Sequence, residues 1–125
     1  MDLRQLYHDY IACLNARDWS NLSRFVALDV THNDVPLGID GYQKMLERDF
    51  EDIPDLRFNV DLMVAEPPHV AAILRFDCSP KGKFLHLNVD GRRLTFCENV
   101  FYQFRDEKIV RVRSVIDKVA IEAQL

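Results

Sequence analysis

The chain has no surplus of positive charge. Sixteen lysines and arginines stand against twenty aspartates and glutamates, a formal net charge of −4, and the basic residues are scattered. A nucleic-acid binder gathers a basic surplus on one face, so no nucleic-acid partner is expected. No apolar run approaches the ~20 residues of a bilayer span, and none is expected to meet a membrane. The opening MDLRQLYHDY lacks the apolar block of a secretion signal. Cysteine is scarce: Cys13, Cys78 and Cys97 are odd in number and far apart. That fits reduced, buried thiols of a cytoplasmic protein better than a disulfide framework. No pair of histidines or cysteines has metal-ligand spacing, and no glycine-rich phosphate loop or serine-nucleophile motif occurs. Neither a metal nor another cofactor is expected.

What is present is an ordinary soluble composition, 48% hydrophobic and 29% charged over 125 residues, without repeats or a linker. This is one domain, long enough to bury a continuous core. Asp2 can cap a first helix in which Leu3, Leu6, Tyr7, Tyr10, Ile11, Cys13 and Leu14 form an apolar stripe. Asn15-Ala16-Arg17-Asp18 breaks it, and a short second helix carries Leu22, Phe25 and Val26. Residues 29–35 read as a short strand. Asp40 can cap a third helix spaced by Tyr42, Met45, Leu46, Asp49 and Phe50. After Pro54 the period changes: Leu56, Phe58, Val60, Leu62 and Val64 alternate with Arg57, Asn59, Asp61 and Met63, a half-buried strand. Further strands follow at 69–78, within 84–104 and at 108–117, with turns at Pro67-Pro68, Asp90-Gly91 and Asp106-Glu107. Helices precede strands, which predicts α+β with a mainly antiparallel sheet.

The last hairpin carries the functional signal. A two-residue turn at Asp106-Glu107 sets Tyr102 opposite Arg111 and Val100 opposite Arg113. One face then holds Phe96, Glu98, Val100, Tyr102, Arg111, Arg113, Val115 and Asp117. A sheet that only covers a core has one wholly apolar face. This mixture suits a pocket wall. The other face, with Phe101, Val110, Val112 and Ile116, suits a homodimer interface.

The order of elements resembles the nuclear transport factor 2-like superfamily over essentially the whole chain. The resemblance implies a cone-shaped barrel, a strongly curved, mainly antiparallel sheet with helices packed against it. Tyr10-Ile11-Ala12-Cys13-Leu14-Asn15-Ala16-Arg17-Asp18 resembles the first helix of ketosteroid isomerases. That likeness implies Tyr10 as a hydrogen-bond donor to an enolate and Asp34 as a general base. The second aspartate of those enzymes falls near Val100, which argues against a steroid isomerase. Pro54-Asp55-Leu56 and the ending Ile109-Val110, Asp117, Gln124-Leu125 are similar to SnoaL-like polyketide cyclases. That resemblance implies Asp117 as the acid/base and a pocket histidine near His32. Phe76-Asp77-Cys78 and Arg113 depart from the family pattern.

Each candidate also has a structural role open to it. Asp117 can be a helix cap, His32 a core histidine, Asp34 a turn residue and Tyr10 a core tyrosine. Glu98 and Arg113 can pair diagonally across the hairpin. The expectation is a cofactor-independent acid/base enzyme. It enolises a small hydrophobic, carbonyl-bearing ligand for aldol cyclisation or isomerisation. Asp117, His32 and Asp34 would be catalytic, with Tyr10, Glu98, Tyr102 and Arg113 holding substrate. The alternative is a non-catalytic, dimeric ligand-binding domain.

Overall fold

The computed structural model describes residues 2–125. The elements run α1 (Leu3–Asn15), a 3₁₀ turn (Trp19–Arg24), β1 (Val26–His32), α2 (Gly38–Asp52), β2 (Asn59–Glu66), β3 (His69–Cys78), β4 (Lys83–Phe84), β5 (Leu87–Asn88), β6 (Leu94–Arg105), β7 (Lys108–Ile116) and α3 (Lys118–Glu122). The main sheet has the order β1-β7-β6-β3-β2, with β1 parallel to β7 and the other pairs antiparallel. β4 and β5 form a separate ribbon. The architecture is α+β, as the sequence predicts. No helix among the described residues is long and apolar enough to cross a membrane.

Asp2 caps α1 as expected, its carboxylate accepting from the Arg4 amide at 2.9 Å. Tyr7 and Tyr10, both fully buried, carry α1 onto Tyr102 of β6, with ring centroids 4.9 and 6.0 Å apart. At the other end Phe50, Phe58, Phe76, Phe96 and Phe84 run as a chain of neighbouring rings, 5.3–6.0 Å between centroids. Such pairs add about 0.5–1.5 kcal/mol beyond the area they bury.

Two boundaries move from their expected places. The strand read at 29–35 is Val26–His32, because Asn33 and Asp34 take left-handed φ of 47° and 66° and turn the chain. Asp34 therefore does not share a strand face with His32. The third helix starts at Gly38, before Asp40, with φ of +66° at the glycine. A side chain there would meet the Leu28 carbonyl at 3.3 Å.

The hairpin between β6 and β7 turns at Asp106 and Glu107, both at positive φ (51° and 65°), as a tight two-residue connection needs. The register then slips: Phe104 pairs with Ile109 but Gln103 pairs with Arg111, leaving Val110 without a partner. This β-bulge reverses the faces of the rest of β7. Val112, Ser114 and Ile116 turn inward beside Val100, Tyr102 and Glu98, while Arg111, Arg113 and Val115 turn outward. The expected partition of this strand is corrected accordingly.

Asn15 ties the end of α1 to the sheet. Its side chain accepts from the Phe58 amide at 2.8 Å and donates to the Phe58 carbonyl at 2.9 Å. Both backbone groups lie just before β2, where no strand serves them. Asn15→Ala leaves the pair unsatisfied and is expected to lower stability by about 2 kcal/mol in chemical denaturation. A loss below about 0.5 kcal/mol would mean that water replaces the side chain.

Candidate active site

A cavity of about 430 Å³ lies between the inner sheet face, α1 and α2. Its apolar wall includes Leu14, Met45, Leu46, Phe58, Leu74, Val100, Val112 and Ile116. Its polar groups are Tyr10 from α1, His32 from β1, Asn33 from the turn after β1, Tyr42 and Asp49 from α2, Glu98 and Tyr102 from β6, Ser114 from β7 and Lys118 from α3. A smaller annex of about 60 Å³ continues past Asp49, Phe58, Glu98 and Ile116 to Phe84 and Phe96.

Glu98 stands on β6 opposite Ile116, with apolar Phe96 and Val100 on the same face. Burial pushes its carboxyl up to about 7; a hydrogen bond from Ser114 opposes the shift and the Asp49 carboxyl adds to it. Asp49 sits one helical turn beyond Met45 and Leu46 on the inward face of α2. Burial raises it to about 6, helped by Asp52 and opposed by Arg48. No salt bridge joins either carboxyl to a cation among the described residues. The cavity thus holds two acids that exchange protons near neutral pH, which is what general acid/base work requires.

His32 is half-buried at the end of β1. Its Nε2 lies 3.3 Å from the Ser114 hydroxyl, and burial alone lowers its pKa below the usual histidine value. The Tyr10 and Tyr42 hydroxyls are 2.7 Å apart, and the Tyr7 hydroxyl donates to that of Tyr102 at 3.2 Å. Burial raises Tyr10, Tyr42 and Tyr102, so they remain protonated donors. Among the described residues no group of three or more histidine, cysteine, aspartate or glutamate side chains is arranged to hold a metal.

The structure brings His32, Tyr10, Glu98 and Tyr102 into one cavity and places three other expected residues elsewhere. Asp117 caps α3, its carboxylate accepting from the Ala120 amide at 3.1 Å, and it is exposed. Asp34 lies in the turn after β1, exposed, and accepts a bond of 2.8 Å from Arg111. Arg113, beyond the bulge, stands on the outer sheet face beside Phe101 and forms no bond with Glu98. Asp49, Tyr42 and Ser114 are the additions. An aspartate within the apolar stripe Tyr42, Met45, Leu46, Phe50 was the available signal for Asp49, and Tyr42 lies on the same stripe. Ser114 had none, since its direction depends on the bulge.

The model of the SnoaL-like polyketide cyclase family matches residues 4–125. A SnoaL-like polyketide cyclase of Agrobacterium tumefaciens is 49% identical, with 99% of this chain and 98% of that chain covered and a TM-score of 0.98. Two more distant structures share the fold. IdmH of Streptomyces antibioticus, a proposed polyketide cyclase, is 18% identical with a TM-score of 0.84, covering 99% of this chain and 98% of that one. AclR of Streptomyces galilaeus, a proposed hydroxylase, is 22% identical with a TM-score of 0.77, covering 98% and 93%. A search of curated proteins finds no match. With its family match spanning nearly the whole length and its fold shared throughout, the chain belongs to the SnoaL-like polyketide cyclase family.

Proposed function

We propose that this protein is a cofactor-independent acid/base enzyme that removes a proton from carbon beside a ketone in a small hydrophobic substrate. The released enolate then closes a ring by aldol addition or is reprotonated as an isomer. The observation that carries the reading is the Glu98 carboxyl, held in a largely apolar cavity and poised to titrate near pH 7. Such a group is an effective base when ionised and an effective acid when protonated, worth about 10²–10⁴ in rate. Asp49, across the same cavity, keeps Glu98 from ionising early. In the Tyr10–Tyr42 pair one hydroxyl donates to the other, and the accepting tyrosine keeps its own proton to donate to the oxygen on which charge develops.

The test is deuterium exchange at the α-carbon, followed by NMR over a panel of diketones, ketosteroids and polyketide-like esters. Exchange that Glu98→Gln reduces at least a hundredfold, and that Asp117→Asn and Asp34→Asn leave within about threefold, is the expected result. Equal exchange with natural protein and Glu98→Gln would remove Glu98 from the chemistry. Binding without exchange across the panel would favour a passive ligand-binding domain.

The protein is also proposed to act as a homodimer through the outer sheet face. Val64, Ala71 and Phe101 lie in one cross-strand row, and Leu62, Ile73 and Val115 flank it in the next, where Asn99 stands between Ile73 and Val115. Phe101 and Val115 are 61% and 71% exposed in the single chain. Arg113 and the Arg111–Asp34 ion pair border this apolar band, an arrangement of apolar centre and charged rim typical of subunit contacts. Light scattering at micromolar concentration is expected to give the mass of two chains, and Phe101→Glu the mass of one. A monomer mass for the natural chain rejects the interface.

A further inference from the structure

Ser114 lies between two proton-exchanging groups. Its hydroxyl is 3.3 Å from His32 Nε2, and Ser114, paired with Val100 on the inner face, is the diagonal cross-strand neighbour of Glu98 in the same cavity, within the reach of a hydroxyl that turns to donate to the carboxylate. A hydroxyl has one proton to donate and lone pairs to accept, so in this chain it cannot donate both ways at once. When Glu98 is ionised, Ser114 donates to the carboxylate and can accept from His32 Nε2–H. When Glu98 is protonated, the carboxylic acid donates to Ser114, which then donates to an unprotonated Nε2. The two arrangements differ in the direction of both bonds, in the proton on Glu98 and in which ring nitrogen of His32 carries hydrogen.

The position of Ser114 is fixed through its backbone by a residue at the edge of the cavity. Asn33, in the turn after β1, accepts from the Ser114 amide at 2.8 Å and donates to the Ser114 carbonyl at 3.2 Å. Its own amide donates to the Val112 carbonyl at 2.8 Å. Asn33 thus extends the parallel pairing of β1 and β7 by one side chain, and holds Ser114 where its hydroxyl meets His32. The titratable groups facing this chain are Asp49 and Tyr42 from α2, Tyr10 from α1, Tyr102 from β6 and Lys118 from α3. The rings of Tyr42 and His32 are 6.5 Å apart.

We infer that Glu98, Ser114 and His32 form a proton relay, in which the Ser114 hydroxyl passes to His32 the proton that Glu98 takes from substrate carbon. The inference rests on the enolisation reading for its use, though not for its existence. The C–H bond breaks, its proton goes to Glu98 and its electron pair becomes the enolate. Glu98 then gives a proton to Ser114 Oγ as Ser114 gives its own to His32 Nε2, leaving a carboxylate, a neutral hydroxyl and an imidazolium. The imidazolium returns the proton to the substrate oxygen or carbon that ends the reaction with negative charge. Burial moves Glu98 upward and His32 downward, so that neither end traps the proton permanently. The reaction class this suits is one whose proton leaves one substrate atom and arrives at another within one turnover, as in aldol closure.

The relay has a signature that needs no substrate. In ¹⁵N spectra of the labelled full-length protein, His32 Nε2 is expected to carry its proton at pH 8.5. It is expected to lose that proton to Nδ1 over the pH range in which Glu98 becomes protonated. Glu98→Gln should abolish this tautomer switch, Ser114→Ala should abolish it, and Ser114→Thr, which keeps the hydroxyl, should retain it. Should Ser114→Ala fail to fold, Glu98→Gln and Ser114→Thr still decide the question. A switch that survives Ser114→Ala or Glu98→Gln, or a single tautomer across the whole range in the natural protein, overturns the relay. With an exchangeable ketone, Ser114→Ala should lower kcat at least tenfold with KM changed less than threefold. Exchange failing while the tautomer switch persists would reject the enolisation reading and leave the relay standing.

Discussion

Val110 has no partner across the last hairpin, and the side chains beyond it on β7 take their direction from that one unpaired residue. Because strand side chains alternate, one extra residue exchanges the two faces. The exchange sends two arginines to the outer surface and brings Val112, Ser114 and Ile116 over the cavity. Without the bulge, Arg111 and Arg113 would stand inside beside Glu98. A buried guanidinium close to that carboxyl would favour its ionised form and hold its pKa below the ordinary value. The bulge therefore sets the electrostatics of the pocket as well as its shape.

The rest of the cavity follows from packing around that wall. α1 and α2 face the sheet with tyrosines rather than aliphatic groups, and the four hydroxyls pair two by two, Tyr7 with Tyr102 and Tyr10 with Tyr42. Every buried polar side-chain atom among the described residues has a hydrogen-bond partner, so these hydroxyls are accommodated without the cost of an unmade bond. The acids are different. Asp49 and Glu98 face the cavity with no cation bonded to them, and the price is a carboxyl that stays protonated to unusually high pH. Carboxyls raised in this way gather at sites that move protons, which is the ground for the acid/base role proposed for Glu98.

Much of this was legible in the residues themselves. The cap at Asp2, the apolar stripe of α1, the strand at 69–78 and the turn at Asp106-Glu107 each follow from local chemistry, and each is found in place. Tyr10, His32, Glu98 and Tyr102 were recognisable as pocket candidates because they interrupt apolar patterns or match family positions. Asp34 and Asp117 take the structural roles that the sequence also left open to them: a left-handed turn ends β1 early, and an aspartate before a helix caps it. Arg113 was misplaced because no sequence pattern announces a bulge at Val110. Ser114 was invisible for the same reason, while Asp49 was in plain view within an apolar stripe.

The chemistry proposed for the cavity depends on half-buried Glu98 keeping its proton to near neutral pH, and the pH dependence of stability tests this most directly. The folded chain keeps this proton up to about pH 7, whereas the unfolded chain releases it near the ordinary glutamate value of 4.5. Between those values the unfolded state binds fewer protons, so Glu98 makes stability fall as pH rises. Glu98→Gln removes that contribution. The difference in unfolding free energy between the two proteins, measured from pH 4 to pH 8.5, should move by about 3 kcal/mol in favour of the variant. A difference that stays constant across this range, within about 0.5 kcal/mol, would show that Glu98 ionises as an ordinary surface carboxylate and would contradict the account.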